Sequence, residues 1–142
     1  MIGFLIAIIS GALMSIQGVF NTQVSKTAGL WTANVFVQFS ACLVCLAAWG
    51  IVERRSFAGL LQVEPKYLLL GGAIGAFITL TVIKSMSALG PATSAMIIVI
   101  AQLVVAYAIE VLGMFGVEKE PFSLRKVLGM IITIGGIILF KK

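Results

Sequence analysis

Residues 85 to 109 read S-M-S-A-L-G-P-A-T-S-A-M-I-I-V-I-A-Q-L-V-V-A-Y-A-I, a stretch without one charged side chain. Lys, Arg and Glu are costly at the centre of a bilayer, and about 20 apolar residues in helical form cross its hydrocarbon. The part after the L-G-P break therefore reads as a membrane span. Charge-free runs at 1 to 25, 27 to 52, 67 to 83 and 127 to 140 extend the pattern along the chain. They predict one all-α membrane domain over residues 1–142, with five transmembrane helices at about 2–24, 29–52, 67–88, 91–114 and 123–140.

Composition agrees. Of 142 residues, 61% are hydrophobic and 11% charged, with a net charge of +5; the mean hydropathy is +1.16. Soluble domains are about 45–50% apolar and about 25% charged. There is no His, and all five carboxylates are Glu. A His-centred triad, a His-bearing zinc site and an aspartate metal cage are thus excluded, and neither catalysis nor a metal or other cofactor is expected. The ten Lys and Arg residues sit at the ends of apolar runs, as interfacial anchors do, and form no nucleic-acid patch. Cys42 and Cys45 form C-L-V-C inside an apolar run without a second ligand pair, and read as small apolar residues.

Chemistry also marks the breaks. Lys26 to Gly29 makes a tight turn, and Leu89, Gly90 and Pro91 make another, glycine ending one helix and proline opening the next. Between Glu53 and Lys66, Phe57, Leu60 and Leu61 suit a short amphipathic turn on the membrane surface. The third helix is expected to run past Lys84, and the last has only 14 residues between Lys126 and Lys141. Both reach span length if the cationic stems snorkel. The first stretch lacks a basic leader and an A-x-A site, so it reads as a permanent helix and not a signal peptide.

With the N-terminal side called face A, that face receives Arg54, Arg55, Lys66, Lys119, Arg125 and Lys126, and face B receives Lys26, Lys84, Lys141 and Lys142. Six against four points weakly to face A as cytoplasmic. So small a bias leaves two options open, one fixed orientation or insertion both ways up.

Residues three and four apart share a helix face. Ser10, Met14, Gln17, Asn21 and Ser25 form one polar stripe; Trp31, Asn34, Gln38, Cys42, Cys45 and Trp49 form another; Ala95, Ile98, Gln102, Ala106 and Glu110 form a third. Polar groups in lipid need partners, so these stripes should face a bundle interior or a watery cavity. At about 1.5 Å rise per residue, Gln102 falls near mid-span, with Gln38 and Gln17 about 4 and 6 Å towards face B. Asn21, Asn34 and Lys84 lie about 10–12 Å towards face B, and Glu110 about 11 Å the other way. This predicts a vestibule open to face B with a glutamine floor. The bland alternative is that the amides only join helices, at about 1 kcal/mol or less per bond. Gly71 and Gly75 form a GxxxG pair expected to pack around the cavity, and Gly129 and Thr133 a small-xxx-small pair expected at a subunit interface.

G-A-L-M-S-I-Q-G-V-F-N at 11 to 21, G-G-A-I-G at 71 to 75, L-G-P at 89 to 91, Gln102, Glu110 and R-K-V-L-G at 125 to 129 together resemble the short YdcZ-like branch of the drug/metabolite transporter superfamily, over essentially the whole chain. Two departures stand out: Ala101 where that branch commonly has glycine, and Glu110 where it has aspartate. Four-helix multidrug relatives carry a cation-binding glutamate in the first helix, where this chain has Met14 and Gln17. Larger relatives have ten helices in two inverted halves. The resemblance thus implies half of a ten-helix transporter, in a bacterial inner membrane, paired as an antiparallel homodimer or with a related chain. Inverted repeats place the solute near the midplane.

The expected function is transport, as an exporter of small metabolites working by alternating access. Gln17, Gln38 and Gln102 would bond the solute, Asn21 and Asn34 line the entrance, Trp31 stack on it, and Glu110 or Lys84 couple a proton or ion. A floor of amides suits a neutral or zwitterionic solute. A dual-topology ion channel and a non-transporting partner subunit are the alternatives.

Overall fold

The computed structural model describes residues 1–141, most of which are helical, with no strand among them. Five α-helices follow one another: α1 (Ile2–Ala28), α2 (Leu30–Ala48), α3 (Gly71–Leu89), α4 (Pro91–Leu112) and α5 (Leu124–Lys141). A π-helical segment, Trp49–Glu53, prolongs α2, and 3-10 turns occupy Phe57–Gln62 and Lys66–Leu70. Among the described residues, four stretches are long and apolar enough to cross a membrane: Ile2–Ala28, Leu30–Glu53, Lys66–Leu89 and Pro91–Leu112. The 18 residues of α5 include Arg125, Lys126 and Lys141, which set it apart from the other four.

The helix ends have local causes. Lys26 stands in the last turn of α1, where a cation complements the helix dipole, and α1 runs on to Ala28, past the expected end. A single residue, Gly29, then turns the chain: its φ of 89° is open to glycine and unfavourable to other residues, and its carbonyl accepts from Ala33 N–H at 3.0 Å to start α2. Gly90 (φ 81°) and Pro91 repeat the device at the start of α4. Lys84 does not interrupt α3, which continues to Leu89. Lys142, one of the face B cations, lies outside the described residues.

The surface turn after α2 is fixed by an aromatic contact. Trp49 and Phe57 rings stand 4.8 Å apart, and Trp49 Nε1 donates to the Arg55 carbonyl at 2.9 Å. The Ser56 hydroxyl caps the turn by accepting from Ala58 N–H at 3.2 Å. Phe57, Leu60 and Leu61 are left exposed, as the sequence pattern suggests for a segment on the membrane surface.

The chain forms two compact units, Met1–Ala88 and Leu89–Lys142. In the first, the buried residues are Gly18, Asn21 and Thr22 of α1, Ala33 and Asn34 of α2, and Ile83 and Met86 of α3. All lie in the half of each helix nearest face B. A Cβ at Gly18 would stand 2.6 Å from Met86 Cε and 2.8 Å from its Sδ, so glycine is what lets α1 approach α3. Packing within this unit is thus concentrated in the face B halves of its helices, and most of its large apolar side chains are exposed.

In the second unit α4 and α5 pack side by side, and the 113–123 connection is tied back onto them. Glu120 N–H donates to the Glu110 carbonyl at 2.9 Å. The Tyr107 hydroxyl accepts from Ser123 N–H at 2.7 Å and donates to the Ser123 carbonyl at 3.2 Å. Tyr107→Phe removes both bonds, about 2 kcal/mol in all. Trypsin cleavage after Lys119 in the solubilised protein is expected to quicken on the order of tenfold. An unchanged rate would mean the tie does not hold the connection.

Candidate functional site

The amides of the first unit divide by helix face. Asn34 and Gln38, one turn apart on α2, both turn to α3: Asn34 Nδ2 donates to the Ala76 carbonyl at 3.1 Å, and Gln38 Nε2 to Thr79 Oγ1 at 3.1 Å. Thr79 in turn donates to the Gly75 carbonyl at 3.1 Å. These bonds join α2 to α3, as the bland alternative has it, and they leave something over. Asn34 is 4% exposed, and its Oδ1 is buried without a donor. A buried acceptor left bare costs about 1–3 kcal/mol.

Asn21 of α1 is buried and its side chain makes no hydrogen bond among the described residues. It lines an open groove of about 440 Å³ with Gln17, Leu13, Met14, Ile16 and Phe20, in which Gln17 is exposed. Trp31 is not brought to the amides. It stands 64% exposed near the start of α2, in an open groove with Thr32, Val35, Phe36 and Phe39. The stripe from Trp31 to Trp49 thus splits, because α2 gives its amides to α3 and its rings to the exterior.

Glycine pairs behave differently from Gly18. A Cβ at Gly71, Gly75 or Gly129 would meet nothing within 4 Å, so none makes a close approach inside the chain. Thr133 folds its hydroxyl back on the Gly129 carbonyl at 2.9 Å. Both residues line a groove of about 390 Å³ between α4 and α5, together with Tyr107, Glu110 and Lys126.

Glu110 has a partner that the sequence pattern did not suggest. Lys126 Nζ bonds Glu110 Oε2 at 2.9 Å and also binds Glu120, while standing 5.7 Å from the centre of the Tyr107 ring. The pairing joins α4 to the first turn of α5, a span of 16 residues that helical periodicity cannot foresee. Lys84 is exposed on α3 and makes no ion pair among the described residues. Gln102 is exposed on α4 and makes no hydrogen bond there. Two further residues escaped the sequence reading: Thr79, which receives Gln38, and Ser94, fully buried with its hydroxyl unpaired. A short polar side chain in an apolar run carries no signal of its own until the fold shows what it touches.

Apolar helices of membrane-crossing length, with amides buried along a helix seam, define a multi-pass integral membrane protein. The profile of a family described as "Putative inner membrane exporter, YdcZ" matches residues 2–139. The chain belongs to this family, the YdcZ branch of the drug/metabolite transporters, and is a multi-pass inner membrane protein. No curated protein and no solved structure matches it.

Proposed function

We propose that the chain exports a small neutral or zwitterionic metabolite, that it is no enzyme, and that it works as one half of an antiparallel pair by alternating access. In this reading α5 is the fifth span: its length of about 27 Å nearly matches the hydrocarbon, and Arg125 and Lys126 reach the headgroups. Two five-helix copies then make ten helices. The near-even division of cations between the faces supports insertion in both directions. The family supports the export of a solute.

The observation that carries the solute site is the bare Oδ1 of Asn34, beside Gln38 on the α2–α3 seam. A solute hydroxyl or amide N–H that bonds it replaces an unmet acceptor with a met one, and no buried charge is needed. Asn21 and Gln17 extend the amide lining along α1, and Trp31 offers a ring to an apolar part of the solute. The closed face B half of the first unit corresponds to one end of the cycle, and parting α1 from α3 at Gly18 and Met86 opens it. Coupling runs through charge: a proton arriving on Glu110 breaks its pair with Lys126, and Lys84 is the second candidate.

Purified chain in liposomes, tested with a panel of amino acids, sugars, polyols and organic cations, is expected to take up neutral or zwitterionic solutes. Gln17→Ala should lower that uptake about tenfold, the worth of one good hydrogen bond. Uptake confined to cations, or unaltered in Gln17→Ala, would contradict the site.

A further inference from the structure

The two amides of α2 are held by α3 in one sense only. A backbone carbonyl can only accept, so the group 3.1 Å from the Ala76 oxygen is the Asn34 nitrogen, and Oδ1 is the end left over. Turning this amide over would set two acceptors against each other. For Gln38 the sense is decided one bond further on. A hydroxyl has a single hydrogen, and Thr79 gives its own to the Gly75 carbonyl at 3.1 Å, the bond to the preceding turn that a helical threonine readily makes. Thr79 Oγ1 is therefore left to accept, and what it accepts is Gln38 Nε2 at 3.1 Å. All of these residues belong to the unit Met1–Ala88, so the arrangement is complete within it.

Its consequence is an imbalance. Each amide nitrogen already has a partner, whereas neither amide oxygen has one among the described residues. Asn34 Oδ1 is buried, and Gln38, one turn further along α2, is half-buried. In apolar surroundings an unmet oxygen calls for an N–H or O–H, and a second oxygen brought to it finds nothing to bond. The demand at this seam is thus for donors, and Thr79 keeps Gln38 in step with Asn34.

We infer that the α2–α3 seam selects solutes by their hydrogen-bond donors, and that Thr79 is the residue that sets this polarity. The inference rests on the solute site proposed above at Asn34 and adds the class of group taken there: an uncharged NH2 or neighbouring hydroxyls, and not an ether, ester or tertiary amide. Thr79 is a positioning residue, acting through the Gln38 amide. Asn34 Oδ1 is the principal acceptor, and the half-buried Gln38 oxygen sharpens the choice between solutes more than it adds to affinity.

Probes that differ only by methylation test this on the purified chain in detergent: malonamide against its fully N-methylated form, and erythritol against its fully O-methylated form. Affinity is read from the rise in Tm with probe concentration, since a ligand of the folded state raises Tm by mass action. A donor-bearing probe is expected to bind at least about tenfold more tightly than its methylated counterpart, the worth of one hydrogen bond. Thr79→Val keeps the shape but removes the acceptor, so Gln38 is free to turn and offer an N–H. The methylated probes should then gain affinity and the ratio should fall to about threefold or less, while Thr79→Ser restores it. A Thr79 that only fastens the helices would lower the Tm of the unliganded chain and leave the ratio as it was, which would overturn its role. Equal or tighter binding of the methylated probes to the parent chain, or no shift in Tm from any probe, would overturn the donor selectivity, and this comparison stands even if Thr79→Val does not accumulate. Uptake into liposomes is scored separately: donor selectivity without uptake leaves the polarity of the seam standing and removes the transport reading, and uptake without donor selectivity does the reverse.

Discussion

Gly18→Leu is expected to give the largest loss of folded protein of any single change in the first unit. A Cβ there already falls 2.6 Å from Met86 Cε and 3.3 Å from Val82 Cγ1, so a full leucine drives α1 off α3. Overpacking of this kind costs about 1–3 kcal/mol. It acts among the buried residues of the unit, which on α3 are Ile83 and Met86. Gly18→Ala should be far milder, because the atoms it meets are the flexible end of a methionine. Gly18→Leu combined with Met86→Ala makes room and should recover much of the loss. Thermal unfolding in detergent, followed by loss of the monodisperse peak, reads all three variants; equal stability of Gly18→Leu and the parent would show that the contact does not hold the helices.

The second large effect is on activity with stability held constant. Asn34→Leu removes one interhelical bond to the Ala76 carbonyl, worth about 0.6–1 kcal/mol in a membrane, and at the same time removes the bare Oδ1. The two changes oppose each other, so the melting temperature should hardly move. Transport should fall at least about tenfold, because the acceptor proposed to meet the solute is gone. Gln38→Leu differs: its amide is met by Thr79, and its loss should lower stability before it lowers the affinity for solute. Should Asn34→Leu destabilise the chain while the activity of the surviving protein is unchanged, Asn34 is a fastener alone.

The contrast between these residues shows what could be read from the chain before its fold. Charge-free runs and L-G-P located the helices and turns, because the membrane penalises charge and unpaired backbone residue by residue. Periodicity grouped Trp31 with Asn34 and Gln38, yet the structure separates the ring from the amides; which part of a broad helix face meets a neighbour depends on tertiary packing. Gly18 and the GxxxG pair at 71 and 75 look alike as sequence, but only Gly18 touches another helix in the chain, since closeness is set by the opposing side chain, here Met86. Glu110 reads as a free carboxylate in its own helix, and its partner Lys126 arrives from the next.

Solute counterflow in liposomes tests the mechanism most directly. With unlabelled solute trapped inside, an alternating-access carrier returns loaded, so entry of labelled solute should saturate and run faster than into empty liposomes, and Asn34→Leu should abolish the acceleration. Entry that rises linearly with concentration, indifferent to solute on the far side, would contradict a transporter assembled from two halves.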